Sequence, residues 1–210
     1  MTGWPGARRL LRPWWLLSHL AVAALLVATV NLGFWQFRRL EERREHNALV
    51  EERAEVPVAS LEEVLVGMDP DELVYRTVEV SGVFDAEREV FVVNRTQDGL
   101  PGVHVVTLLV GESGAVAVDR GFVPRPVYLV GDPSAWVPPG GEVVVAGRVR
   151  MAGTSRGSNG NEVESVDVAD LSGRWGEVLP SVYVESGVGE GAGDLPFGLP
   201  APSLGEGPHL

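Results

Sequence analysis

Four histidines, His19, His46, His104 and His209, are the side chains in this 210-residue sequence best suited to hold a metal or a haem iron. Cysteine is absent, which removes thiolate nucleophiles, thiolate metal sites and disulfides. His19 lies inside an uncharged apolar run, where an ionisable side chain is a functional candidate by default. It is only about 7 Å in from Trp14 along a helix, close enough to reach an interface. His46 sits in dense charge and reads as solvated, while His104 follows Pro-Gly in a strand pattern and reads as a structural hydrogen-bond partner. His209 lies one residue from the end. A second group, Trp35, Gln36, Arg38 and Arg39, stands where the apolar run meets charge. It is an aromatic belt with interfacial arginines, or a working surface in which the Arg makes charge-assisted contacts. A third, Arg120-Gly121-Phe122, closes a strand pattern: an internal ion pair, a glycine at an unusual turn and a core ring, or else a surface for a partner. No phosphate loop, G-x-S-x-G or metal-ligand spacing occurs, and no spacing nominates a Ser-His-Asp set. Nothing here marks an enzyme.

The element that must carry the first two groups is "WWLLSHLAVAALLVATVNLGFWQF", residues 14–37, without a single Asp, Glu, Lys or Arg. As a helix it reaches roughly 36 Å, enough to cross a hydrocarbon layer of about 30 Å. Trp14, Trp15, Phe34 and Trp35 mark its ends, and Arg flanks both sides. The run is longer than a signal-peptide core and lacks a small-x-small cleavage site, so it reads as an uncleaved anchor in a lipid bilayer. Three Arg precede it and four follow, so charge alone leaves the sidedness open. Residues 1–13 form a basic lead. Residues 38–56 continue the helix with Arg38/Glu42 and Glu41/Arg44 neighbours, ended by Pro57. "SLEEVL" then offers a capping box with Ser60 as N-cap.

Formal charge is −12, but from Glu45 onward 27 acidic residues face 10 Arg, a net of −17, so a nucleic-acid partner is excluded. In residues 57–186 the period changes to two. "YRTVEVSG", "REVFVVNR", "VHVVTLLV", "AVAVDRG", "EVVVAGRV" and "PSVYVES" are short β-branched runs separated by turns such as "GESG" and "QDGLPG". The fold class is mostly β: a transmembrane helix followed by a small antiparallel barrel or sandwich. "VADLSGRWG" holds a short helical turn. Residues 187–210 are a Gly/Pro-rich stretch that reads as a disordered tail.

Taken together these blocks resemble the Surfeit locus protein 1 family of cytochrome c oxidase assembly factors. Leu32-Gly33-x-Trp35-Gln36-x-x-Arg39-Leu40 resembles its hallmark at the end of the first membrane helix. "YRTVEVSGVFDAEREVFVVNR" carries its V-x-G-x-F arrangement at Gly82 and Phe84. "GLPGVHVVTLL" is similar to its G-x-P-G-x-H-V-V-T-P-L segment, with Leu109 for proline. "VAVDRGFVP" is similar to V-x-V-x-R-G-W-V-P, with Phe122 for Trp. "GEGPHL" resembles the family's approach to a second apolar helix, and this sequence stops at Leu210, as a truncated chain or a one-span variant would. The resemblance implies a cell-membrane protein with its β domain on the extracytoplasmic side and no catalytic turnover. It implies a role in delivering haem a to, or stabilising, oxidase subunit I. Subunit I and other assembly factors would be its partners; a haem-independent scaffold for oxidase subunits is the alternative. Trp35, Gln36, Arg39 and His209 become the expected haem a contacts, and Arg120, Gly121 and Phe122 the expected surface for subunit I. His19 and His209 would lie on opposite membrane faces, so one haem could not use both.

Overall fold

A computed structural model describes residues 13–155, 157–187 and 194–200. The chain divides into two compact units at Leu49 and Val50. Helix α1, Pro13–Ala54, carries the first unit and continues into the second. Its apolar residues are exposed, from Trp14 through Phe37. Among the described residues it is the one helix long and apolar enough to cross a membrane. Polar side chains inside the apolar run turn back onto the helix: Thr29 donates to the Leu25 carbonyl at 2.8 Å and Asn31 to that of Val27 at 2.8 Å. These donors thereby find acceptors within the helix. The apolar run and the charged extension are one uninterrupted helix.

In the second unit, strand β1 (Ala59–Ser60) leads into α2 (Leu61–Gly67) and α3 (Pro70–Leu73). Ser60 is the N-cap of α2, yet its hydroxyl makes no capping bond, so the expected capping box is only half formed. Strand β2 (Thr77–Gln97) joins "YRTVEVSG" and "REVFVVNR" into a single 21-residue strand. Bulges between Asp85 and Glu89, and again past Val92, bend it, which is what such irregularities do to a long strand. Residues 77–83 pair antiparallel with β5 (Glu142–Met151), and residues 83–97 pair antiparallel with β3 (Leu100–Val110). Gly82 stands at that change of partner, where a Cβ would lie 2.5 Å from the Val110 carbonyl oxygen. β3 turns at "GESG" into β4 (Ala115–Pro124), closed by a Gly111 N–H to Gly114 carbonyl bond of 2.8 Å.

After β4 come α4 (Arg125–Val130), a 3-10 turn (Pro133–Trp136), β5, and the short strands β6 (Ser158–Asn159) and β7 (Glu162–Val163). Helix α5 (Val168–Trp175) and β8 (Val182–Ser186) follow. Asp167 caps α5 by accepting the N–H groups of Ala169 and Asp170. The sheet has eight strands and is mixed, which corrects the antiparallel expectation: β1–β2, β2–β7 and β4–β8 run parallel. The pairings form a circuit of neighbours, β2–β3–β4–β8–β5 and back to β2. β8 closes it because the α5 crossover delivers its strand parallel to β4, in register Val118 to Val184.

Apolar alternation on these strands fills a core of Leu73, Val78, Leu109, Val118, Val149 and Val184. A second cluster joins Val90, Val106 and Leu108 to Leu171 and Trp175 of α5. Burying one such side chain contributes about 1.5–3 kcal/mol. Over residues 194–200 the expectation of a disordered tail is overturned. Residues 194–200 fold back on β4: Phe197 exchanges two backbone hydrogen bonds with Phe122, at 2.9 and 2.8 Å, and Leu199 is buried. Residues 201–210, with His209, lie outside the described residues.

Candidate functional site

At the end of the apolar run Trp35 and Arg39 fall four residues apart, hence on one face of α1. The Arg39 guanidinium lies 5.5 Å from the centroid of the Trp35 ring, a cation–π contact, and both side chains are exposed. Gln36 is exposed beside them. The pair presents a flat apolar face and a cation at one level of the helix. Such a combination can take a planar ligand with anionic edges. His19 lies on the same helix, with Nδ1 2.5 Å from the Trp15 carbonyl, and His46 is exposed farther along it.

The second unit holds a buried polar network built from β2, β3 and β4. Arg120 Nε donates to Thr107 Oγ1 at 2.8 Å, and Nη2 donates to Glu89 Oε2 and to the Trp136 carbonyl, each at 2.7 Å. The Thr107 hydroxyl in turn donates to Glu89 Oε2 at 2.9 Å. The Arg120 side chain is 6% exposed and Glu89 14%. Burial pulls the Arg120 pKa down, and the Glu89 carboxylate opposes that shift. The guanidinium also lies 5.7 Å from the Phe84 ring centroid, and the two residues line a cleft of about 400 Å³.

Neighbouring Asp119 accepts from His104 Nδ1 at 2.8 Å and from the Gly121 N–H at 3.1 Å. His104 is therefore a structural hydrogen-bond partner, as its place after Pro-Gly suggests. Gly121 has φ +132°, and a Cβ there would meet the Phe197 carbonyl oxygen at 2.3 Å. Phe122 is 1% exposed. The expected partner surface of Arg120, Gly121 and Phe122 is thus an interior feature: one residue holds a buried ion pair, one backs onto the returning chain, one fills the core. Of the three, Arg120 alone reaches the cleft that it lines with Phe84.

Sequence reasoning found Arg120 but missed Glu89, Thr107 and Trp136, which complete its network. Arg120 within an apolar strand was a signal that an acid had to be buried nearby; which of 29 acidic residues it was could not be read locally. Among the described residues no group of three or more His, Asp or Glu could hold a metal ion. A search of curated protein sequences returned no match. A comparison with protein families matches residues 23–210, nearly the whole chain, to the SURF1 family. With the helix-end residues, the bent strand β2 and the β4 glycine all falling inside that match, the chain belongs to the SURF1 family, a family of cytochrome oxidase assembly factors.

Proposed function

We propose that the protein is anchored in the bacterial cell membrane by α1, holds its β unit on the extracytoplasmic side, and helps haem a reach or stabilise oxidase subunit I. The observation that carries this reading is the Trp35–Arg39 pair, set where 24 uncharged residues give way to charge. Its chemistry fits the rim of a haem: the indole covers a flat apolar face, and Arg39 pairs with a propionate. Gln36 adds hydrogen-bonding capacity on the same turn.

Along α1 itself no histidine stands beside that pair. His19 precedes Trp35 by 16 residues, about 24 Å along the helix, and His46 follows it by 11, about 16 Å. His209, marked by the family resemblance, is the residue that would hold the haem iron. The alternative is a scaffold that binds oxidase subunits without touching haem. The closed circuit of strand neighbours supports the barrel expectation for the unit that would face them.

The test is the absorption spectrum of the full chain purified in detergent after co-expression with the haem a pathway, beside Trp35→Ala, Arg39→Gln and His209→Ala. A haem band that weakens in all three variants supports the reading. A chain without haem whose deletion still lowers oxidase content supports the scaffold. Oxidase content unchanged on deletion overturns both.

A further inference from the structure

A groove of about 690 Å³ opens between α2 and the loop before β8, away from the Arg120 network. Its floor is apolar: Leu61, Val80, Val116 and Leu179 are all buried. Its lips are apolar too, yet they stand in water, with Val66 at 92% and Val178 at 93% exposure. The acids Glu62 and Glu63 rim it, and no Arg is among its lining residues. Glu62 is held in place by the Ser113 hydroxyl at 2.7 Å. An apolar trough with fully exposed apolar lips and a one-signed rim marks a place for a partner.

We propose that this groove docks a basic amphipathic segment of a partner protein: two or more apolar side chains enter the trough and an adjacent Arg or Lys meets Glu62 and Glu63. The charge complementarity decides among occupants. A second copy would set the same acidic rim against itself, since a two-fold contact is self-complementary. An anionic lipid surface would meet two carboxylates on a chain that carries a net of −17 from Glu45 onward. A cationic, apolar protein segment satisfies both the rim and the trough. The inference rests on the assembly-factor reading, because it gives that factor the chemistry by which it grips a client or co-factor protein.

The experiment places a photo-crosslinking amino acid at Val178 of the full chain in its own membranes, with Val144, 65% exposed on β5, as the control position. The crosslinked peptide is then sequenced by mass spectrometry. The expected result is a protein segment with an Arg or Lys beside at least two apolar residues, reached from Val178 and not from Val144. The yield should fall at least tenfold in Glu62→Lys/Glu63→Lys and in Val66→Asp, the latter an exposed change that leaves folding alone. Crosslinks to lipid, to a second copy, to a segment without cations, or to nothing overturn the proposal. So does a yield indifferent to the rim charges. Oxidase content measured in the same strains separates the two ideas. If deletion lowers oxidase while the groove variants do not, the groove inference fails and the assembly role stands. If deletion has no effect, the assembly role itself fails.

Discussion

Replacing Arg120 with Met removes the centre of the buried network and leaves its acceptors behind. Three hydrogen bonds disappear, to Thr107, Glu89 and the Trp136 carbonyl. Breaking a buried ion pair by deleting one partner costs about 3–5 kcal/mol, mostly the cost of the stranded charge. Glu89 keeps the Thr107 hydroxyl as a donor and retains 14% exposure, so the low end applies, about 3 kcal/mol. For a domain of this size, 1 kcal/mol shifts Tm by about 2–4 °C, giving a fall of about 6–12 °C. Near-UV circular dichroism on the full chain in detergent reads this, because α1 keeps a far-UV signal after the β unit melts. The control is Arg120→Met/Glu89→Gln, which removes both charges. It should be more stable than the sum of the single costs by about 1–2 kcal/mol. A shift below about 2 °C for Arg120→Met, or a double variant equal to that sum, would refute the claim that this pair is a mutually dependent buried unit.

Gly121→Ala should cost about 2–4 kcal/mol, since Ala at φ +132° is strained and its Cβ would displace Phe197, opening the two bonds to Phe122. Limited proteolysis should then cut near residues 194–200, and wild-type resistance there would count against the contact. Burial of Tyr183, reinforced by Glu185, pushes its pKa up to about 12, and burial with the Glu162 contact does the same for Tyr128. A folded pKa raised above the usual 10 means stability present below pH 10 and lost as pH rises toward 12. Tyr183→Phe should reduce that alkaline loss, and tyrosinate absorbance should show Tyr128 and Tyr183 titrating late. Asp167→Ala removes the α5 cap and the bond from the Ser155 N–H, and should cost about 1 kcal/mol in thermal unfolding. The backbone donors hold the Asp167 carboxyl below its usual range, so its stabilisation is present above the unfolded pKa and fades as pH falls through the folded one.

Much of the protein was legible in local pattern. The uncharged 24 residues specify a long apolar helix whatever follows, because hydropathy and helical rise are properties of the segment itself. The "GESG" turn and the β-branched runs "VHVVTLL" and "VAVDRGF" on either side specify the β3–β4 hairpin, since both the turn and the pairing are local. Other features depended on residues far apart in the chain. β8 lies parallel to β4 only because the α5 crossover carries it there, and no period-two pattern encodes which edge a strand will join. Glu89 finds Arg120 across 31 positions through the bend in β2. Residues 194–200, aperiodic and rich in Gly and Pro, hold to β4 because Gly121 leaves room for the Phe197 carbonyl. Sequence alone therefore determined the long apolar helix, the β3–β4 hairpin and the Trp35–Arg39 face, each set by spacing within neighbouring residues. The buried charges, the returning chain and the acidic-lipped groove were decided by tertiary structure, because each exists only where separate elements meet.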